Sequence, residues 1–485
     1  MSKSLTIVLL TALFIGCSDF SDLNRDPNNP SSAKTELLLT EAQKWIGYNQ
    51  ESNSGAVGNF MATLYVQYIS ETQYTDDSRY GTISFDFGPW YTGPLTDLQT
   101  IIDLNSDEAT RTDVLSGGSN ANQIAVARIL QAFFFHHITD RWGMVPYTEA
   151  LQGREALRPA YDDMSTIYSG MISTLEEAVS GMGGEPVTGD IIFGGDMAKW
   201  AQFANTLKMR IALRMADVNG SLARTEFEEA INAGVITEDV MFPFQAAAAA
   251  ENPWFTRFRT RTDYALSETM TDFMKPKGDL RVLQYGDPAP NFDDGDGVRE
   301  MNEIQGMPYG IENAGDITNA EISFPGQAIR AQDAPLPIFT MAEVHFAMAE
   351  AVERGWSVSG TAQAHYEAGI QASWEQWGVY GDGTDYAAYI AHPDVAYNSA
   401  NWQQLIGEQK WVALFPYGYE AWAEWRRLGY PQLTPAPDPL NTTGEIPIRQ
   451  AYPTSESELN SENYNSAVQS QGADGLDTSL WWDVN

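Results

Sequence analysis

Residues Phe339–Gly355 read FTMAEVHFAMAEAVERG, with apolar side chains returning every three or four positions. That period places them on one face of an α-helix. Alanines at 342, 347, 349 and 351 leave little bulk between the larger groups, so a second helix can approach closely. The short turn GWSVSG follows, and helical spacing resumes over Ala362–Trp377. The two segments form one helix–turn–helix unit.

Such a unit comes close to the roughly 34-residue period of tetratricopeptide repeats, and Ala342 and Phe346 keep the A-x₃-F spacing. Further helices are expected at Glu36–Asn49, Val57–Gln73, Gln123–Asp140, Met164–Ser180, Met197–Val218, Trp402–Leu414 and Tyr419–Leu428. The repeat signal is weak in those pairs. The fold class is mainly α: a tetratricopeptide-like scaffold carrying a long, irregular, loop-rich ligand-binding region.

The irregular part has its own composition. Between Asn219 and Pro337, and again from Tyr74 in YTDDSRYGTISFDFGPWYTGP, Gly, Pro, Asn, Asp and aromatic residues dominate. Loops of that length in a compact chain are functional or disordered, and their aromatic content argues against disorder. Recognition is expected in them.

The start of the chain is read separately. Lys3 precedes an apolar run, Leu5–Ile15, which has the length of a signal-peptide core and is too short to span a bilayer. Gly16 then precedes Cys17, the only cysteine in 485 residues. A lone cysteine forms no internal disulfide. Its setting resembles a bacterial lipoprotein signal, in which Cys17 becomes the lipidated first residue. The expected organisation is a signal peptide at 1–16, an acidic leash at 17–32 and a single domain at 33–485. Within that domain the scaffold takes 33–73, 122–218 and 338–430. Loop-rich binding regions take 74–121 and 219–337, and a closing segment takes 431–485. No later apolar run reaches the roughly 20 residues a spanning helix needs, so the expected membrane association is through the lipid anchor.

Net charge is −37, from 65 acidic and 28 basic residues. Nucleic-acid binding needs basic surface, so that class is excluded, and polyanionic ligands are disfavoured. With 43% hydrophobic and 12% aromatic residues the chain can bury a large core.

Four stretches carry a family resemblance: ITDRWGMVPYTEAL (Ile138–Leu151), KWAQFANTLKMRIALRM (Lys199–Met215), the opening FTMAEVHFAMAEAVERG, and QKWVALFPYGYEAWAEWRRLGYPQL (Gln409–Leu433) followed by YPTSESELN (Tyr452–Asn460). In this order, behind a lipoprotein signal, they resemble the SusD/RagB family of surface glycan-binding lipoproteins, in its starch-binding, outer-membrane-associating branch. The resemblance implies a non-catalytic protein that captures oligo- or polysaccharide and lies as a lid over a SusC-like TonB-dependent transporter, lipid-anchored in the outer membrane and facing outward. A neutral glucan fits the acidic balance, a β-glucan such as laminarin among them. A helical-fold endo-glycosidase and a RagB-like peptide-capturing lipoprotein stand as alternatives.

Candidate ligand-binding residues are the loop aromatics Trp90, Tyr91, Trp254, Phe255, Tyr285 and Tyr309, with Arg79 and Asn252 as polar partners. Aromatic rings offer a stacking face to the C–H side of a sugar and freeze few rotors on binding. The other tryptophans, Trp45, Trp142, Trp200, Trp374, Trp411, Trp422 and Trp425, lie on or beside helices and are expected in the core. Trp481 and Trp482 are expected to pack back. His136 and His137 point about 100° apart on a helix and cannot chelate one ion together. Glu343, Glu350, Glu420 and Glu424 are expected to pair with arginines, leaving no catalytic residue and no resident cofactor. Asn291–Gly297, NFDDGDG, fails the EF-hand ligand template, so Ca²⁺ there would need another geometry and a polar turn is the default.

Overall fold

Thr340 starts the helix that the opening stretch encodes. Its hydroxyl accepts a bond from the Glu343 N–H at 3.2 Å, and the helix runs Met341–Glu353. Thr361 caps the next one, Ala362–Gln376, in the same way. The two pack side by side, and Gly369 explains how closely. A Cβ there would sit 2.8 Å from the Phe346 ring, so only glycine admits the contact.

The computed structural model describes residues 34–47, 56–57, 59–83 and 85–484. The signal segment, Cys17 and the leash lie outside them. Helical hairpins repeat along the chain: Asn120–Trp142 packs on Met164–Gly181, Met197–Arg214 on Gly220–Ala233, and Trp402–Ala413 on Gly418–Leu428. The fold is thus mostly helical, a tetratricopeptide-like stack. Asn120–Trp142 is buried on nearly every side, with Val126, Ile129, Leu130 and Phe134 fully inside, which suits a central helix apolar all round. Among the described residues no helix is long and apolar enough to cross a membrane.

Three expectations are corrected. Val57–Gln73 is not one helix: Met61–Tyr65 is helical, Gln67 sits at φ 57°, and the chain then extends as β1, Ile69–Glu71. The left-handed residue ends the helix and turns the backbone into a strand. The loop-rich region from 219 opens with a helix of 14 residues, Gly220–Ala233, whose Ala223, Phe227 and Ala230 face the core. The region 74–121 likewise contains the helix Thr96–Ser106. Strands are few and short. β1 pairs antiparallel with β3, Tyr264–Leu266, and β2, Val240–Phe242, pairs with β4, Leu336–Phe339.

Buried charge ties the stack together. Arg210 holds both oxygens of Glu343 at 2.6 and 2.7 Å. Arg214 reaches Glu420 at 2.6 Å and also Glu424, while Lys410 bonds Glu424 and Arg427 bonds Glu350. Burial alone would raise the Glu424 carboxyl, but Arg427, Lys410 and Arg214 hold it well below the usual carboxylate range.

Candidate functional site

Two antiparallel strands hold the loop on which an exposed aromatic stands. Beyond β1, Thr72 donates from its N–H to the Asp263 carbonyl at 2.8 Å and from its hydroxyl to the Thr262 carbonyl at 2.7 Å. Two residues later Tyr74 is 74% exposed, with φ at 55°. A non-glycine residue held in the left-handed region at a loop apex is uncommon. The Arg261 guanidinium lies 5.3 Å from the Tyr74 ring and is itself held by Asp263 at 2.6 Å.

Other segments converge on the same place. Thr75 donates to the Glu312 carbonyl at 3.3 Å, and Asn319 donates to the Thr262 hydroxyl at 2.8 Å. Arg79 donates to the Asp438 carbonyl at 2.6 Å, and Leu440 returns a bond to the Arg79 carbonyl at 2.6 Å. Loops from four distant parts of the chain are therefore tied together next to the Tyr74 segment, and Gln73, Asp76, Asn313 and Asn319 are exposed on them. Such a surface offers an exposed aromatic plane on loops that also expose amide and carboxylate groups. That combination suits an uncharged, hydroxyl-rich ring.

Glu71 supports the loop from below. Its Oε2 accepts from the Ser78 N–H and hydroxyl, both at 2.9 Å. Burial pushes this carboxyl up to about 7, against the lowering effect of the Ser78 bonds.

The residues expected to touch ligand are distributed differently. Trp254 and Tyr285 are wholly buried, and Trp90 and Tyr309 nearly so. Trp254 packs on Phe60 at 4.3 Å, and Trp90 packs on Trp45 and His137 at 5.3 and 4.8 Å. Tyr285 lies 4.5 Å from Phe415 and donates to the Val412 carbonyl. None of these four presents a free ring face, so they are core residues rather than platforms. Asn252 is also buried and acts as a staple: its Oδ1 caps the Trp254 N–H at 2.7 Å, and its Nδ2 donates to the Ile329 and Ala334 carbonyls. Arg79 fastens the candidate face from beneath. Phe255 is half-buried, with the Arg259 guanidinium 5.4 Å from its ring. Tyr91 is half-buried at a second cleft, lined by none of the residues named at the Tyr74 face. Tyr74 lacks the Gly and Pro neighbours that mark the other loop aromatics, which is why the sequence does not single it out. Its available signal was an aromatic flanked on both sides by polar loop residues.

Among the described residues three titratable clusters gather, and each is already occupied by other partners; Lys208 bonds Glu176, Glu226 and Glu229 together. His136, Asp140 and Glu420 converge, but Arg214 lies among them, 3.1 Å from Asp140 and 2.6 Å from Glu420. Asp293, Asp294 and Glu303 also gather, yet both Glu303 oxygens already accept backbone N–H bonds, from Asp294 and Glu300.

Comparison with known proteins is consistent along the chain. A SusD-like family model described as starch-binding and associating with the outer membrane matches residues 27–453. A solved chitin-binding protein superposes with a TM-score of 0.76 at 26% identity, covering 93% of this chain and 99% of that one. A chitin-binding SusD homologue from Flavobacterium johnsoniae gives 0.75 at 25% identity, with 93% and 99% coverage. A SusD homologue from Bacteroides fragilis gives 0.77 at 24% identity, with 93% and 100% coverage. Among curated proteins, none matches.

Proposed function

The chain belongs to the SusD-like family, and from that premise we propose that it is a non-catalytic glycan-binding lipoprotein of the outer membrane. It captures a neutral, β-linked oligosaccharide at the cell surface and delivers it to a SusC-like TonB-dependent transporter. Cys17 carries the lipid anchor, and the protein faces outward. The observation that carries the ligand class is the Tyr74 face: an exposed ring beside Arg261, on a loop joined to others that expose polar side chains. Net charge of −37 supports an uncharged ligand over a polyanion. Two structural relatives are described as chitin-binding, which supports including N-acetylglucosamine oligomers beside β-glucans such as laminarin among the candidate ligands. Glu343, Glu350, Glu420 and Glu424 are each held by basic side chains, which supports binding without hydrolysis.

Affinity electrophoresis against laminarin, chitin oligosaccharides, starch and alginate tests the reading. Retardation by a neutral glycan, lost in Tyr74→Ala, is the expected result. Retardation by alginate alone, or new reducing ends after overnight incubation, would overturn it.

A further inference from the structure

Arg141 is 5% exposed and stands in the last turn of Asn120–Trp142. Its guanidinium lies 4.1 Å from the ring centres of both Trp142 and Tyr419. Nε donates to the Gln450 side-chain oxygen at 2.8 Å, and Nη1 lies 2.9 Å from His137 Nε2. Burial, with Arg141 and His136 adding to it, holds His137 well below its ordinary pKa, so that ring is neutral and accepts. A guanidinium carries five N–H groups. Nη2 meets no acceptor among the described residues.

The charge on Arg141 also lacks a counter-ion. Arg210, Arg214, Arg281, Arg427 and Arg449 are equally buried or more so, and each reaches a carboxylate at 3.3 Å or closer. Arg141 is in no ion pair among the described residues. Burial pulls its guanidinium below the ordinary range, opposed by the tyrosines Tyr419, Tyr65 and Tyr417. An ion taken out of water without a counter-ion is strongly disfavoured. The helix end supplies a fraction of a unit charge at most, and the Arg141 carbonyl there already accepts from the Gln450 N–H at 2.9 Å.

A second unpartnered group stands close by. The Tyr65 hydroxyl is wholly buried and has no hydrogen-bond partner among the described residues. The Tyr65 ring lies 5.4 Å from Trp422, whose ring lies 6.1 Å from Tyr419. Burial raises the Tyr65 pKa, and the Arg141 charge is near enough to pull against it. A cationic donor and an O–H donor are thus neighbours, and neither has an acceptor. Water brings an acceptor but no charge. A monatomic anion brings both, accepts from several directions and has no skeleton to be housed among the rings of Trp142, Tyr419, Trp422 and Tyr65.

We propose that Arg141 binds a halide ion, chloride in ordinary media, with the Tyr65 hydroxyl as a second donor. The ion neutralises the guanidinium where Asn120–Trp142, Gly418–Leu428 and the closing segment join. Trp142 ties the same junction by donating from Nε1 to the Ala451 carbonyl at 3.1 Å. Chloride therefore tightens the closing segment on the scaffold, and the stability of the protein depends on it. The site is independent of the Tyr74 face.

Thermal melts of the mature chain test it. Tm should rise with sodium chloride and level off, whereas sodium gluconate at the same ionic strength should leave it unchanged. Sodium bromide should act as chloride does. Arg141→Met removes the charge, keeps an apolar stem and should erase the difference between the two salts. Tyr65→Phe removes one donor and should raise the chloride concentration at half-effect about five-fold. Anomalous scattering from a wild-type crystal grown with bromide reads the site without a variant. A bromide peak within hydrogen-bond reach of Arg141 Nη2 is the expected result, and a water there with no bromide signal would overturn the proposal. So would equal shifts in chloride and gluconate, or a chloride effect retained in Arg141→Met. A bromide peak without the saturating melt would be binding at crystal concentration only, and would overturn it too.

Discussion

Tyr74 and Trp254 are both loop aromatics, and they differ in what surrounds them. The Tyr74 ring stands in water, so removing it costs no core packing. Tyr74→Ala should weaken glycan affinity about 5- to 150-fold, the equivalent of ~1–3 kcal/mol, with no change in Tm. Calorimetric titration beside a thermal melt separates the two readouts. Trp254→Ala should do the reverse, costing ~3–5 kcal/mol of stability through lost contact with Phe60 and the cavity left behind. Glu71 adds a pH dependence. Its folded-state carboxyl titrates near 7, above the unfolded value, so the folded state holds the extra proton and stability falls as pH rises from about 4.5 through 7. Glu71→Gln keeps an acceptor for Ser78 and removes that loss. The Tm difference between variant and wild type should grow from pH 5 to pH 8, and a difference that stays constant would count against the assignment. Arg79, expected as a polar ligand contact, is buried and its side chain anchors the loop to the Asp438 carbonyl.

At the scale of elements, local patterning carried far. Met164–Gly181 and Ala362–Gln376 fall within a residue of the span their apolar period predicts, because each has one face against a neighbour and one toward solvent. Gly220–Ala233, GSLARTEFEEAINA, is hard to read as a helix because it adjoins segments rich in Gly, Pro, Asn and Asp. Its three inward residues are enough to dock it on Met197–Arg214. Val57–Gln73 was over-extended because apolar residues continue through Tyr68 and Ile69 into a strand, and a short continuous apolar run does not distinguish the two. The opening unit gives sharper tests. Thr340→Ala removes the cap at Glu343 and should lower stability by ~1 kcal/mol. Gly369→Ala forces a methyl against the Phe346 ring and should cost ~1–3 kcal/mol despite alanine's better helix propensity. Chemical denaturation of both variants checks the pair.

Across the whole molecule, buried ion pairs join helices far apart in sequence. Arg427 bonds Glu350 on the opening helix and Glu424 on its own, so Arg427→Met leaves two buried carboxylates short of a partner and should cost ~3–5 kcal/mol. Glu350, Glu420 and Glu424 are held below their ordinary range against the pull of burial. The stability they contribute is therefore present above about pH 4.5 and lost as pH falls below it. An acid melt should show an early transition in wild type. Anchoring belongs to this scale too: Cys17→Ala should release the protein from the outer membrane, as fractionation would report. The sequence by itself determined the helical class, the paired-helix scaffold and the family, because amphipathic period and motif order are local properties. The family motifs also implied that Glu343, Glu350, Glu420 and Glu424 tie helices together through ion pairs, which the structure shows with Arg210, Arg214, Lys410 and Arg427. Only the tertiary structure decided which aromatic rings meet water. Trp254 is covered by Phe60, and Tyr285 by Phe415, segments remote in the chain. Burial is set by such long-range packing, and neither ring size nor a Gly/Pro-rich neighbourhood encodes it.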